Sequence, residues 1–275
     1  MKIACCQFTP VWADPNATMT MVDELLSSYG PNDIDFLVLP EMAMTGYVFK
    51  SKQEIQPFLE DAETGPTVQW AKRQALRLQS FVVVGYPQYP CYNSLCCINP
   101  QGKLIKTYQK AFLYETDEYW AQEGPEGFAA MPLSKDSLIK VGFGICMDLN
   151  PYQFKSPFEL YEFAQFHLEQ ETQLIICCMA WLKSPQQQSD NNDDDDDGMK
   201  TISYWAQRCF PLIMQEKRRV YVVACNRTGS ERGSTFAGAS SVLELGYQTP
   251  RLLNHMGSNE SGVMIVNVHL PIVTM

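Results

Sequence analysis

Short apolar runs and amphipathic stretches alternate along the first half of the chain. An apolar run between turn residues is typical of a buried strand, whereas apolar residues at every third or fourth position are typical of a helix. On this basis we predict strands at residues 2–8, 35–40 and 81–87, and helices at 16–30 and 66–79. The segments 92–98 and 103–110 are joined by an Asn-Pro-Gln-Gly turn and predict a hairpin.

The second half repeats this alternation and ends in further strands. We predict helices at 158–171 and 201–218, and strands at 139–145, 173–181, 219–226 and near 239–244 and 263–269. A polar, Asp-rich loop is predicted at about 183–198. Strands that alternate with helices indicate an α/β protein. The length of 275 residues suits one large domain or two small ones, and the similar order of elements favours two halves packed in a single domain, 1–275.

The negative charge of the chain is concentrated in one segment. The formal net charge is −10, and Asp190 with the run at 193–197 supplies six of the 31 acidic residues. The rest of the chain carries 25 acidic against 21 basic residues. This acidity is typical of a solvated loop, and the sequence shows no basic patch, which argues against nucleic acid as a partner.

The cysteines and the N-terminal segment predict a protein of a reducing compartment. Six of the ten cysteines form adjacent pairs in apolar, strand-like runs, where Cys behaves as a small hydrophobic residue. The sequence has no C-x-x-C motif and three histidines, which argues against a structural zinc site. It also has no signal-peptide-like segment and no apolar run of about 18 residues. We therefore expect no membrane association and a location in the cytoplasm, with the nucleus as a second candidate.

Three side chains with reactive chemistry follow predicted buried strands. Glu41 comes directly after 35–40, Lys110 ends the hairpin, and Cys146 follows 139–145 in the segment GICMDLNP. Sites in α/β sheets gather at the carboxyl ends of strands. In such a place Glu41 would be a partly desolvated base, Lys110 a catalytic cation, and Cys146 a nucleophile surrounded by backbone N–H groups.

Each of these residues also has a structural interpretation. Glu41 fits a surface residue at the start of a loop, and Lys110 fits a side chain whose apolar stem covers the core. Cys146 fits one more buried thiol among ten. Histidine is the usual partner of a nucleophilic cysteine, but the sequence places none at a strand end near these residues. A Cys–His hydrolase is weakly supported, whereas a cysteine activated by a carboxylate fits the residues present.

Taken together, the three segments resemble a known catalytic triad. Glu41 in LPEM…TGY, Lys110 in YQKAFLYETDE and Cys146 in GICMDLNP resemble the Glu-Lys-Cys triad of the nitrilase, or carbon–nitrogen hydrolase, superfamily. The resemblance extends from the first strand to GSTFAGASS at 233–241. It implies a four-layer α-β-β-α sandwich, one hydrolase domain, and no metal or organic cofactor. Members of this superfamily commonly dimerise, so a homodimer is one candidate assembly.

Within the superfamily, the segments around the triad resemble the fungal amidases that act on protein N-termini. This resemblance implies an amidohydrolase that converts N-terminal Asn or Gln of proteins and peptides to Asp or Glu, releases ammonia and feeds N-degron-dependent degradation. Glu41 would act as the base and Cys146 would form a thioester. Lys110 and the backbone N–H of Met147 would hold the oxyanion. The alternative is a small-molecule amidase or nitrilase, similar to omega-amidase, with the same triad.

An acidic cluster follows the lysine. Glu118 lies eight residues after Lys110, as the second glutamate of related amidases does, and it would position the substrate beside the lysine. Glu115 competes for this role. Glu115, Asp117 and Glu118 would otherwise face the α-ammonium group of the substrate or form a solvated loop. Asp148 is interpreted as a structural acceptor near the cysteine.

Overall fold

In the computed structural model, the described residues 1–134, 137, 139–184 and 194–270 form two six-stranded sheets and several helices. The strands are β1 (Lys2–Gln7), β2 (Phe36–Val38), β3 (Phe81–Gln88), β4 (Tyr92–Ile98), β5 (Leu104–Gln109), β6 (Ala129–Pro132), β7 (Lys140–Ile145), β8 (Leu174–Cys178), β9 (Val220–Cys225), β10 (Ser230–Glu231), β11 (Ser234–Thr235), β12 (Ser241–Leu245), β13 (Arg251–His255) and β14 (Gly262–Asn267). The helices are α1 (Pro15–Leu25), α2 (Lys52–Ile55), α3 (Pro66–Leu78), α4 (Glu115–Glu118), α5 (Glu162–Glu169), α6 (Asp194–Arg208) and α7 (Phe210–Met214).

Each sheet contains three parallel strands. The first sheet has the order β14-β1-β2-β3-β4-β5, in which β1, β2 and β3 are parallel. The second has the order β13-β12-β9-β8-β7-β6, in which β7, β8 and β9 are parallel. The central residues of the parallel strands are almost all apolar, as expected for strands that are covered on both faces. Glu41 follows β2 and Cys146 follows β7, at carboxyl ends of parallel strands.

The first sheet is covered on both faces. Ile3 and Cys5 of β1 belong to a core cluster that includes residues of β7, β8 and β9 in the second sheet. Their neighbours Ala4 and Cys6 belong to a different cluster, with residues of α1 and α3. Residues of α5 and α6 pack in the same cluster as the second sheet. This arrangement of two sheets flanked by helices confirms the predicted α/β class, and the cysteine pair of β1 faces two different cores.

Helix α3 shows how the sequence pattern sets the packing face. Its buried apolar residues mostly recur at intervals of three or four positions, which places them on one side of a helix. They are Val68, Trp70, Ala71, Ala75 and Leu78, and all pack in the cluster that covers the first sheet. The helix ends at Leu78, and the next residue, Gln79, adopts the left-handed conformation typical of a helix C-terminus.

The structure differs from the sequence prediction mainly at edges and ends. The sequence pattern does not predict β6 and β13, which are the two edge strands of the second sheet. β6 contains a proline and β13 is partly exposed, so neither shows a strong apolar pattern. The predicted helix 201–218 is two helices, because Pro211 lies in the first turn of α7, and α6 starts earlier, at Asp194. Most of the predicted Asp-rich loop, 185–193, lies outside the described residues.

No helix in the described ranges combines the length and the apolar character that a membrane crossing needs.

Acid pH is expected to destabilise the fold through His167. Its imidazole is fully buried in α5, with Nδ1 3.1 Å from Thr172 Oγ1, and burial lowers its pKa to about 3. The unfolded chain has a histidine pKa of about 6.5, so the unfolded state binds a proton first as the pH falls. We expect this residue to lower the free energy of unfolding by about 2 kcal/mol between pH 7 and pH 5.

Urea unfolding of the wild type and of His167→Gln at both pH values measures this contribution. The variant lacks the titrating ring, so between pH 7 and pH 5 its free energy of unfolding should fall by about 2 kcal/mol less than that of the wild type. An identical pH dependence in the two proteins would assign the acid sensitivity to other groups.

Candidate active site

Glu41 is held beyond the end of β2 by contacts with both sheets. Its backbone N–H donates to the carbonyl of Met179, just beyond β8 of the second sheet, at 3.2 Å. Its backbone also lies against Gly85 of β3, where an added Cβ would be 2.6 Å from the Cα of Glu41. A side chain at position 85 would therefore displace Glu41. The Glu41 carboxylate is fully buried.

Lys110, which follows β5, lies between two carboxylates. Its backbone N–H donates to the carbonyl of Asn93 in β4 at 2.8 Å. Its buried Nζ donates to Glu41 Oε1 and to Asp117 Oδ2, both at 2.6 Å. Asn93 Nδ2 donates to the same two carboxylates, at 2.7 Å to Glu41 and 2.9 Å to Asp117. The four side chains form one buried polar network with a single cation at its centre.

Cys146 lies at the end of β7, in the second sheet. The chain turns there into a 3₁₀ helix, Cys146–Leu149, with the cysteine in the left-handed region at φ 43°. Such a conformation is strained for a residue other than glycine, and strain of this kind is frequent at active sites. Cys146 is 8% exposed and lines a cavity of about 360 Å³.

The cavity is formed by the segments that follow β7 and β8 and by the hairpin of β10 and β11. Its walls are Tyr114, Cys146, Met147, Asn150, Phe154, Ala180, Trp181, Leu182, Lys183, Ser184, Gly233, Ser234 and Thr235. In the described parts of the chain, no cluster of three or more His, Cys, Asp or Glu side chains is arranged to hold a metal ion.

Electrostatics connects the three residues that the sequence singles out. Burial raises the pKa of the Cys146 thiol, Glu41 raises it further, and Lys110 lowers it. Burial also raises the pKa of Glu41, against the effect of Lys110. Burial would lower the pKa of Lys110, but Asp117 and Glu41 together outweigh it and raise the pKa. The resting thiol is therefore protonated, the lysine is a cation, and a carboxylate of raised pKa is near enough to influence the thiol.

Asp148 connects the lysine loop to the cysteine loop, which come from different sheets. Its Oδ1 accepts from the backbone N–H groups of Ala111 at 3.1 Å and Phe112 at 2.9 Å. Its Oδ2 accepts from the N–H of Ile145 at 2.7 Å and from the hydroxyl of Tyr108 at 2.8 Å. This buried carboxylate is therefore a structural acceptor, as predicted from the sequence.

Replacing Asp148 by asparagine is expected to lower the free energy of unfolding by about 3 kcal/mol. The amide NH₂ would face hydrogen-bond donors that now meet a carboxylate oxygen, and a buried donor without a partner is costly. Urea unfolding measures the loss. Glu126→Gln is the matched control, because Glu126 is 75% exposed and pairs with Lys106 at the surface. Equal effects of the two substitutions would contradict the structural role of Asp148.

The one-turn helix α4 determines which acidic residue meets Lys110. Asp117 is buried, and its Oδ2 also accepts from the N–H of Tyr114 at 3.0 Å, which caps the helix. Glu115 and Glu118 are exposed. Successive residues of a helix point about 100° apart. The side chain of Asp117 therefore faces inward, and that of the next residue, Glu118, faces solvent. The structure thus places Asp117 beside the lysine, where the sequence spacing favours Glu118.

The sequence does not single out two further residues of the site, Asn93 in the network and Tyr47 beside it. Asn93 is a buried amide in the otherwise apolar strand YNSLCCI, and a buried polar side chain in such a strand needs partners, which is the available signal. Tyr47 has a buried hydroxyl with no hydrogen-bond partner among the described residues, and Lys110 Nζ lies 5.7 Å from the centre of its ring. Tyr47 ends the segment LPEM…TGY that carries the resemblance around Glu41, but that segment alone assigns no role to its side chain.

Comparison with known proteins identifies the family. A family model described as carbon-nitrogen hydrolase matches residues 2–151, more than half of the chain. The chain belongs to the carbon–nitrogen hydrolase family. This carbon–nitrogen hydrolase therefore acts on amide C–N bonds, and the nitrilase-type fold that the sequence predicts is confirmed.

Individual relatives of this carbon–nitrogen hydrolase are N-terminal amidases. The protein N-terminal amidase of Schizosaccharomyces pombe is 34% identical over 287 residues, which cover 96% of this chain and 98% of the relative. A solved structure of an N-terminal amidase with an Asn-Glu-Ala peptide has a TM-score of 0.85 and 22% identity, and covers 98% of this chain and 97% of its own. Another, with a Gln-Val peptide, has a TM-score of 0.85 and 23% identity, and covers 96% of each chain. At this identity the structural likeness shows the shared fold.

Proposed function

We propose that this carbon–nitrogen hydrolase removes the side-chain amide of N-terminal Asn or Gln from proteins and peptides. The observation that carries the proposal is the similarity to a protein N-terminal amidase along nearly the whole length of both chains. The site supports it, because the Cys146 thiol lines a cavity of about 360 Å³, near the small end of ligand cavities. Such a cavity suits one amide side chain and the first backbone atoms of a peptide.

The first step is attack of Cys146 on the carbon of the side-chain amide. Because burial raises the pKa of the thiol, a base must take its proton during the attack. We assign this role to Glu41, whose Oε2 has no hydrogen-bond partner among the described residues. The proton moves from Sγ to the carboxylate while the S–C bond forms, and the amide oxygen becomes an oxyanion.

Lys110 and the backbone N–H of Met147 are assigned to the oxyanion. An ammonium group has three N–H donors, and in the described part of the chain Glu41 and Asp117 accept two of those of Lys110. The third is available for the substrate oxygen. Met147 follows the nucleophile and lines the cavity. One such donor contributes about 3 kcal/mol to transition-state stabilisation in enzymes where it has been removed.

The second half of the reaction returns the enzyme to its starting state. Glu41 gives its proton to the leaving nitrogen, and ammonia departs from a thioester on Cys146. Glu41 then takes a proton from water as the water oxygen attacks the thioester carbon. When the C–S bond breaks, Glu41 returns this proton to Sγ, which restores the thiol and the carboxylate. The product begins with Asp or Glu, and it would feed N-degron-dependent degradation.

The exposed acidic side chains next to the cavity favour a substrate with a positively charged N-terminus. Glu115 and Glu118 lie on α4, directly after the cavity-lining residue Tyr114. In this proposal they attract the α-ammonium group of the substrate, and Asp117 takes the place beside Lys110. Charge of one sign near a site raises the local concentration of a ligand of opposite charge.

The proposal also covers location and assembly. All ten cysteines are free thiols, which supports a reducing compartment, the cytoplasm or the nucleus. They are Cys5, Cys6, Cys91, Cys96, Cys97, Cys146, Cys177, Cys178, Cys209 and Cys225.

Exposed apolar side chains support a homodimer. They are Leu160, Phe210 and Met214, and the ring of Phe210 also packs against that of Tyr161. Nucleic acid and membranes are not among the proposed partners.

A panel of short peptides tests the proposed function. Peptides that begin with Asn or Gln should release ammonia and be converted to peptides that begin with Asp or Glu. The matched controls are the N-acetylated forms of the same peptides and peptides with internal Asn, none of which should react. Equal turnover of the acetylated peptides would contradict the N-terminal requirement. Turnover of free small amides alone would favour the small-molecule amidase.

A further inference from the structure

We propose that Phe154 and Tyr114 form a subsite for the second residue of the substrate, and that this subsite favours an apolar side chain. The inference rests on the proposed function, because it takes the substrate to be a peptide with N-terminal Asn or Gln. When the side-chain amide lies at Cys146, the rest of the peptide must leave the cavity. Its second residue then lies near the mouth.

Phe154 lies at that mouth. Among the aromatic side chains of the cavity wall, Phe154 is exposed, at 55%, whereas Tyr114 and Trp181 are half-buried. A side chain that both lines a cavity and is exposed to solvent marks the entrance. The ring of Tyr114 meets the ring of Phe154 edge-on, with centroids 6.3 Å apart and planes at 86°. The two rings form an apolar corner in the same cavity as Cys146.

The backbone holds Phe154 in this exposed position. Gln153 and Phe154 both adopt the left-handed region, at φ 52° and 54°, which is unfavourable for two consecutive residues with side chains. The segment is anchored on its other side, where the ring of Tyr152 packs 5.0 Å from that of Phe112. The N–H of Phe154 donates to the carbonyl of Pro151 at 2.9 Å. Strain that keeps an aromatic ring exposed at a site indicates a function for that ring.

The chemistry of the corner selects an apolar side chain. Aromatic rings offer large contact areas to aliphatic and aromatic groups. Burial raises the pKa of the Tyr114 hydroxyl, so both rings are uncharged at neutral pH. A glycine in the second position would leave the corner unfilled, and a leucine would lose part of its contact with water there.

The experiment compares two tetrapeptides that differ in the second residue, Asn-Leu-Ala-Ala and Asn-Gly-Ala-Ala. For the wild type, kcat/KM should be about tenfold higher with leucine, a difference of about 1.4 kcal/mol. In Phe154→Ala this ratio should fall to about twofold, because the leucine loses most of its contact. Phe154→Tyr keeps the ring and should keep the ratio. Tyr119→Ala is the matched control, because Tyr119 is 60% exposed and does not line the cavity.

Three outcomes would overturn the proposal. A wild-type ratio near one would show that the second residue makes no selective contact. An unchanged ratio in Phe154→Ala, or an equal fall in Tyr119→Ala, would assign the selectivity to other residues. In all of these cases the wild type still converts both peptides, so the proposed function stands. A wild type that converts neither peptide would instead overturn the proposed function, and this inference with it.

Discussion

Replacing Cys146 by alanine is expected to lower the rate of ammonia release from an Asn-initiated peptide by about 10⁴-fold or more. Without the thiol no thioester can form, and the buried network of Glu41 and Lys110 can assist only direct attack by water. Alanine is smaller than cysteine, and the residue lies at the edge of a cavity, so the fold should persist. Steady-state ammonia release measures the effect, and thermal unfolding verifies the fold.

Cys91 provides the matched control for this substitution. It is a free, half-buried cysteine outside the cavity wall, so Cys91→Ala should keep the rate within about twofold. Mass spectrometry of the wild type, quenched during turnover, should show an acyl adduct on Cys146. A Cys146→Ala protein that still releases ammonia would show that a different group is the nucleophile.

Replacing Asp117 by asparagine is expected to lower kcat by about 10²-fold. Asp117 holds the ammonium of Lys110 at 2.6 Å and also accepts from Asn93 and from the N–H of Tyr114. In the variant, an NH₂ group would face at least one of these donors and push it away. A displacement of a catalytic group by about 1 Å is enough for an effect of this size. The measurement is kcat for an Asn-initiated peptide, with the unfolding midpoint measured in parallel.

The pH profile separates this role from a loss of structure. Burial raises the pKa of Glu41, Lys110 lowers it, and the charge of Asp117 raises it again. Removing that charge should lower the pKa of Glu41, so the acidic limb of kcat/KM should move to lower pH. Glu118→Gln is the matched control, because Glu118 is exposed on the same helix and should change neither kcat nor the limb. If Glu118→Gln instead lowered kcat and moved the limb while Asp117→Asn did neither, Glu118 would be the acidic residue that acts beside Lys110.

The fold is predictable from sequence where strands are buried on both faces. The runs at 35–40, 81–87 and 139–145 are apolar apart from Asp35 and Lys140, and each corresponds to a parallel strand or its direct extension. The edge strands β6 and β13 are partly exposed, so apolar periodicity gives no signal there. What covers an edge, and how far a helix extends, depends on tertiary contacts that a local pattern does not contain.

The site is predictable in part, for a similar reason. Position at strand ends singles out Glu41 and Lys110, and the structure brings these two into contact at 2.6 Å. Which acidic residue completes the network depends on the cap of a single helical turn, and the spacing in YETDE does not reveal it. Asn93 joins the network from a neighbouring strand. Its role requires the strand order of the sheet, which the sequence does not state.

The residues of the reaction come from opposite sheets, and this links the interior of the protein to its rate. Glu41 and Lys110 follow strands of the first sheet, and Cys146 follows β7 of the second. The separation of base and nucleophile therefore depends on the side chains packed between the sheets, such as Val38 and Phe143. These side chains act as a spacer, and a change in their volume alters the alignment of the reacting atoms. Selection for turnover would thus constrain side-chain volume at positions that never meet a substrate.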